Sequence, residues 1–123
     1  MRYGVLGDIH SNLTALTAVL DSLDKDGIDR LISVGDVVGY GAAPQECIDL
    51  VREAGAVVVM GNHDAACIDR LDTVYFNAYA REAVTWTQKM LRPDDRAWLA
   101  STRCPATSCA RWSPRSRRRS ITA

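Results

Sequence analysis

Histidine is scarce in this sequence, in which only His10 and His63 supply an imidazole. The four cysteines, at positions 47, 67, 104 and 109, match neither a zinc motif nor a redox motif. We therefore expect four free thiols, two of them in core helices. A thiolate metal site is excluded by the same spacing, and any metal must be bound by oxygen and imidazole ligands.

Long hydrophobic runs are also absent, because segments such as residues 3–7 are too short to cross a bilayer. Met1 and Arg2 lead directly into a short strand pattern, without the apolar region of a secretory signal. The composition, 47% hydrophobic and 24% charged, is ordinary for a globular protein. We expect a cytoplasmic protein of one domain with no membrane partner.

Acidic residues are missing from residues 99–123, although six arginines lie there. Residues 1–98 consequently carry a net charge of −6, so the two segments differ in chemistry. Hydrophobic periodicity ends near Ser101, and the remainder is rich in Arg, Ser and Thr. We predict a folded domain over residues 1–101 and a disordered tail over residues 102–123.

Three short runs rich in Val, Ile and Leu predict strands over residues 3–6, 31–34 and 56–60. Their lack of strict alternation favours strands that are buried on both faces of a parallel sheet. Apolar residues at spacings of three and four predict helices over residues 12–25 and 44–54. Further helices are predicted over residues 76–91 and 94–99. The order β-α-β-α-β predicts an α/β fold with right-handed crossovers.

A polar cluster follows each predicted strand. Ligands of open parallel sheets bind beyond the carboxyl ends of the strands, so the clusters should converge on one crevice. They consist of Asp8 and His10 after the first strand, Asp36 after the second, and Asn62, His63 and Asp64 after the third.

These side chains have the chemistry of divalent metal ligands. Carboxylate, imidazole and amide groups together suit Mn, Fe, Zn, Co or Ni, and the two oxygens of Asp36 can bridge two ions. Such ions activate water and neutralise phosphoryl charge. His63 can protonate a leaving alkoxide or bind a phosphoryl oxygen, and Asp64 is predicted to hold the His63 imidazole.

Each motif taken alone has a simpler explanation. Asp8 or Asp36 alone is more often a helix cap, His10 a surface residue, and residues 62–64 a turn. The joint occurrence of three clusters with complementary ligand types favours the metal site. Tyr40 is interpreted as a loop aromatic that packs on the sheet, with a substrate-pocket role as the alternative.

The segments 8–10, 35–36 and 61–64 resemble the motifs of the calcineurin-like metallophosphoesterases over about residues 1–100. Residues 35–41 resemble the small bacterial and archaeal phosphodiesterase branch. The resemblance implies a metal-dependent hydrolase of phosphate mono- or diesters that acts on a small phosphoester or a nucleotide. It implies that Asp8, His10 and Asp36 bind one metal and that Asp36 and Asn62 bind a second. It also implies that His63 assists the chemistry.

Family members continue into a further layer of strands with more histidines, and this sequence has none left for those positions. We therefore expect the parallel βαβαβ half of an α/β sandwich, with the C-terminal half missing and the second metal site incomplete. The alternative is a catalytically inactive fragment or pseudoenzyme that binds at most one metal weakly.

The Arg-rich tail begins where the family would continue, and we interpret it as a frameshift product. A basic tail that binds nucleic acid or an acidic partner and a functionless solvated tail are the alternatives. Nucleic acid is otherwise not an expected partner. A truncated sheet should leave apolar surface exposed, which predicts marginal stability and oligomerisation or aggregation.

Overall fold

The computed structural model describes residues 1–104, which form a parallel sheet of three strands with helices packed against it. The strands are β1 (Tyr3–Leu6), β2 (Arg30–Ser33) and β3 (Val57–Val58), in the order β1-β2-β3. Both strand pairs are parallel, with Val5 opposite Ile32 and Ile32 opposite Val57. The predicted α/β fold and parallel strand order are confirmed.

Residues 1–104 contain five helices, which pack with the sheet in one core. They are α1 (Leu13–Lys25), α2 (Pro44–Glu53), α3 (Asn62–Cys67), α4 (Ala78–Met90) and α5 (Pro93–Ser101). Asn12 caps α1 by accepting a hydrogen bond from the Ala15 N–H, as its position before the apolar periodicity predicts. The short helix α3 follows β3 directly and contains the third polar cluster, where the sequence predicts no helix.

One face of the sheet is buried beneath the helices. Leu6, Leu31 and Val58 point to this face and pack in one core with Leu16 of α1 and Ile48 of α2. Because the strand order runs in one direction and both crossovers are right-handed, α1 and α2 lie on the same side. The prediction that the strands are buried on both faces is therefore wrong for the described residues.

The opposite face of the sheet is apolar and largely uncovered. Tyr3, Val5, Val34 and Val57 alternate with the core residues and remain 57%, 63%, 57% and 37% exposed. Such a contiguous apolar surface is uncommon on a monomeric protein and favours association. The predicted exposure of apolar surface is confirmed.

The described chain continues past α5 to Cys104. The Arg103 N–H donates to the Val58 carbonyl, and the Met60 N–H donates to the Arg103 carbonyl, so Arg103 forms a parallel bridge beside Val59. Arg103 thus pairs with the end of β3, and residues 105–123 of the predicted tail lie outside the described residues, so the boundary at residue 101 stays a prediction. None of the helices within residues 1–104 has the length and hydropathy that a bilayer crossing requires.

Two of the cysteines lie in core helices, as expected. Cys47 in α2 and Cys67 in α3 are buried free thiols. Cys104 is disulfide-bonded, so the expectation of four free thiols is wrong for this residue.

Candidate metal centre

The loops that follow β1 and β2 are joined by backbone hydrogen bonds beyond the end of the sheet. The Asp8 N–H donates to the Gly35 carbonyl at 3.2 Å, and the His10 N–H donates to the Asp36 carbonyl at 2.9 Å. The next bond links the Ser11 N–H to Val37 at 2.9 Å. These bonds extend the strand register into the loops and bring the first two polar clusters together, as the parallel topology predicts.

The backbone of these loops is strained. Six non-glycine residues within residues 1–104 have positive φ, and five of them lie here: Asp8, His10, Ser11, Asp36 and Tyr40, at +47° to +58°. The left-handed conformation costs an L-residue about 1–2 kcal/mol. Strain of this kind concentrates at functional sites, where the surrounding structure compensates for it. Its coincidence with the polar clusters marks this edge of the sheet as the candidate site.

Asp8, His10 and Asp36 form a group that fits a metal ion. One ligand atom from each lies within 4.8 Å of the other two. The Nε2 of His10 is 3.7 Å from Oδ1 of Asp8, while its Nδ1 lies 3.1 Å from the Val38 carbonyl. A hydrogen bond at Nδ1 orients the ring and leaves Nε2 as the metal ligand. Two carboxylates and an imidazole are ligands of the divalent metals predicted from the sequence.

Asp36 is the member of this group that the third polar cluster contacts directly. Its Oδ1 accepts a hydrogen bond from the His63 N–H at 2.9 Å, in the first turn of α3. Burial raises the pKa of the Asp36 carboxyl, while this hydrogen bond and the nearby histidines act in the opposite direction. The helix terminus thus holds the carboxylate that the sequence predicts to bridge two ions.

Glycine at position 61 makes this approach possible. A Cβ on Gly61 would collide with both the Oδ1 and the backbone nitrogen of Asp36. The φ of Gly61, −82°, is open to any residue, so the requirement is for space rather than for conformation.

Asn62 is the first residue of α3 and is solvent-exposed. It directly precedes His63, whose N–H contacts Asp36. This position is at the same sheet edge as the Asp8–His10–Asp36 group, and its role as a ligand of a second metal stays a prediction.

His63 lies in a cluster of rings beside the metal group. Its ring centroid is 4.8 Å from that of His10, 4.8 Å from that of Tyr40 and 4.9 Å from that of Phe76. The residue is 7% exposed, and its Nδ1 has no hydrogen-bond partner within the described part of the chain. Burial lowers the pKa of His63, which favours the neutral imidazole at neutral pH. The His63 Nδ1 packs against Gly39, where an added Cβ would come within 2.6 Å of it.

Asp64 does not hold the His63 imidazole, and that prediction is wrong. Its carboxylate is fully buried and accepts three backbone N–H bonds, from Asp36 at 2.9 Å, Gly61 at 3.0 Å and Val38 at 3.2 Å. Burial raises the pKa of Asp64 to about 6, against the effect of these bonds. Asp64 joins the β2 loop to the start of α3. An acid three residues after the N-cap position is a capping signal in the sequence.

Two aromatic residues extend the site beyond the residues that the sequence predicts. Phe76, the first residue of the helix predicted over residues 76–91, instead lies before α4 with its ring against His63. Tyr40 contacts both histidine rings and remains 49% exposed. Its ring borders a cavity of about 520 Å³ that Asp8, His10 and the first residues of α1 also line. The sequence offers a pocket role for Tyr40 only as the alternative to packing, and no sequence pattern reveals its positive φ.

Comparisons with known proteins agree with this arrangement. The family model described as calcineurin-like phosphoesterase matches residues 1–107. An uncharacterised protein of Methanocaldococcus jannaschii is 42% identical over 97 residues, covering 79% of this chain and 40% of the relative. A symmetrical bis(5'-nucleosyl)-tetraphosphatase of Aromatoleum aromaticum is 36% identical over 106 residues, covering 80% of this chain and 38% of the relative.

Solved structures show the same relation. A metallophosphoesterase from Sphaerobacter thermophilus is 46% identical with a TM-score of 0.67, over 83% of this chain and 41% of that one. The protein in the crystal structure of a putative diadenosine tetraphosphatase is 29% identical in sequence, with a TM-score of 0.62 over 82% of this chain and 42% of that one. The chain thus spans about 40% of the length of the proteins it matches.

Proposed function

The chain belongs to the calcineurin-like phosphoesterase family, and from this premise we propose that its site serves metal-dependent hydrolysis of phosphate esters. The observation that carries the proposal is the Asp8–His10–Asp36 group. Its three ligand atoms lie within 4.8 Å of one another, and all three residues adopt a strained left-handed backbone. A capping or surface role would not require this strain at three positions of one site.

The proposed metal ligands are Asp8, His10 and Asp36 for one divalent ion, and Asp36 with Asn62 for a second. A bound ion of this kind lowers the pKa of a water molecule and neutralises charge on the phosphoryl oxygens. The choice of Mn, Fe, Zn, Co or Ni as candidate metals rests on the types of donor atom alone.

His63 is the proposed acid–base residue. Its ring adjoins that of His10 at the edge of the metal group, from where it could protonate the leaving group or bind a phosphoryl oxygen. Asp64 is assigned a positioning role, since its three backbone hydrogen bonds hold the loop that carries Asp36 and the helix that carries His63.

The proposed substrate is a small phosphoester, with a nucleotide as the favoured class. Two relatives are named for the hydrolysis of dinucleoside tetraphosphates, which supports this assignment. No nucleic-acid or membrane partner is proposed.

A second candidate function is weak binding of a single metal ion without turnover. It is favoured by the histidine count, because His10 and His63 are the only imidazoles in the sequence. A second ion would then have Asp36 and Asn62 as its protein ligands, which is fewer than a catalytic site commonly provides.

The experiment combines metal binding with turnover. Calorimetric titration with Mn²⁺ should show saturable binding by the unaltered chain and none by Asp36→Ala. The matched control is Asp21→Ala, an exposed acid of α1 that should leave the affinity unchanged. Unaltered affinity in Asp36→Ala would refute the metal assignment.

Hydrolysis of bis(p-nitrophenyl) phosphate with added Mn²⁺ then separates the two functions. Turnover that Asp36→Ala abolishes and Asp21→Ala retains favours the hydrolase. Metal binding without turnover favours the inactive alternative.

A further inference from the structure

Tyr40 occupies an unusual turn at the mouth of the site. The Gly41 N–H donates to the Gly39 carbonyl at 2.7 Å, which closes a three-residue turn with Tyr40 at its centre and φ at +56°. Turns of this kind with positive φ at the central residue are rare and strained. A bulky side chain makes the conformation a clear outlier.

Both histidines hold this turn in place. The Gly41 N–H also donates to the His10 carbonyl at 3.0 Å. On the other side, Gly39 lies so close to His63 that a Cβ would come within 2.6 Å of its Nδ1. The position of the Tyr40 ring is therefore coupled to that of the two histidine rings.

The packing contacts of the Tyr40 ring cover only part of it. It meets His10 edge-on at a centroid distance of 5.1 Å and His63 at a tilt of 37°. Half of the residue remains exposed on the cavity of about 520 Å³ beside Asp8 and His10. An aromatic residue that served only the core would be covered instead.

We propose that Tyr40 is a specificity-determining residue that stacks on the base of a nucleoside phosphate whose phosphate binds at the Asp8–His10–Asp36 group. This inference rests on the proposed function and deepens it by naming the residue that recognises the base. Tyr40, His10 and Asp8 line the same cavity, so one bound molecule can contact all three. Stacking on an aromatic side chain tolerates any base, since every base has a π-face.

The test compares AMP with ribose 5-phosphate, which retains the phosphate and sugar but lacks the base. Binding of each is measured by calorimetry on the full chain with saturating Mn²⁺. Tyr40→Leu should bind AMP about tenfold more weakly, or about 1.4 kcal/mol, and should bind ribose 5-phosphate as the unaltered chain does. Tyr40→Phe should retain AMP affinity. The control Tyr79→Leu, 83% exposed on α4, should change neither.

Three outcomes overturn the inference. Equal affinity of the unaltered chain for AMP and ribose 5-phosphate would show that the base contributes nothing to binding. Equal weakening of both ligands by Tyr40→Leu would indicate a general structural role. Failure of both ligands to bind would refute the inference together with the phosphate site. In the first two cases the proposed function still stands if ribose 5-phosphate binds only in the presence of Mn²⁺.

Discussion

Replacement of Gly61 by alanine tests whether the close approach of α3 to Asp36 builds the metal site. Alanine accepts the backbone angles of Gly61, φ −82° and ψ 171°, so no conformational strain arises. The new methyl group would instead overlap Oδ1 and the backbone nitrogen of Asp36. Either the carboxylate or the start of α3 must move.

The magnitude follows from two effects. Insertion of a methyl group into a packed site costs about 1–3 kcal/mol. Loss of the 2.9 Å bond from the His63 N–H to the Asp36 carboxylate adds about 1.5–3 kcal/mol, the usual contribution of a hydrogen bond to a charged group. We expect the free energy of unfolding to fall by about 3–5 kcal/mol. Displacement of Asp36 should also weaken Mn²⁺ binding by at least about tenfold.

Urea denaturation followed by circular dichroism measures the first effect, and calorimetry under native conditions measures the second. The matched control is Gly55→Ala, at φ +66° with no atom within 4 Å of an added Cβ. It should lose about 1 kcal/mol from left-handed strain and keep its metal affinity. A Gly61→Ala variant with the stability and affinity of the unaltered chain would refute the reasoning.

Two further predictions concern the bare sheet face and the buried thiols. Val34→Lys should reduce concentration-dependent light scattering, because it places a charge on the uncovered apolar face; Val74→Lys, at an equal exposure of 57% in a loop, should not. A sharp monomeric unfolding transition of the unaltered chain at high temperature would contradict association through this face. Burial raises the pKa of Cys67 to about 12 and that of Cys47 to about 11. Both thiols therefore stay protonated at pH 8 and should resist iodoacetamide until urea unfolds the chain, as peptide mapping would show.

The site could be predicted from the sequence to the extent that it depends on topology. Polar residues after successive parallel strands must meet at one edge, and the ligand atoms of Asp8, His10 and Asp36 do so. Asp64 was placed correctly at this edge but given the wrong contact, because three backbone N–H groups compete for its carboxylate. The position of Asp64 next to His63 in the sequence does not reveal its hydrogen bonds to these three backbone N–H groups.

Local pattern by itself determined the three strands, the helices α1, α2, α4 and α5, and the order in which metal-ligand chemistry follows each strand. Hydrophobic periodicity and helix capping act over a few residues, so both can be recognised in the sequence. Only the tertiary structure decided which face of the sheet stays bare, that Gly61 allows α3 to approach Asp36 and that Tyr40 lies in a strained turn. Those features arise from contacts between residues distant in sequence, whose close packing no local pattern records.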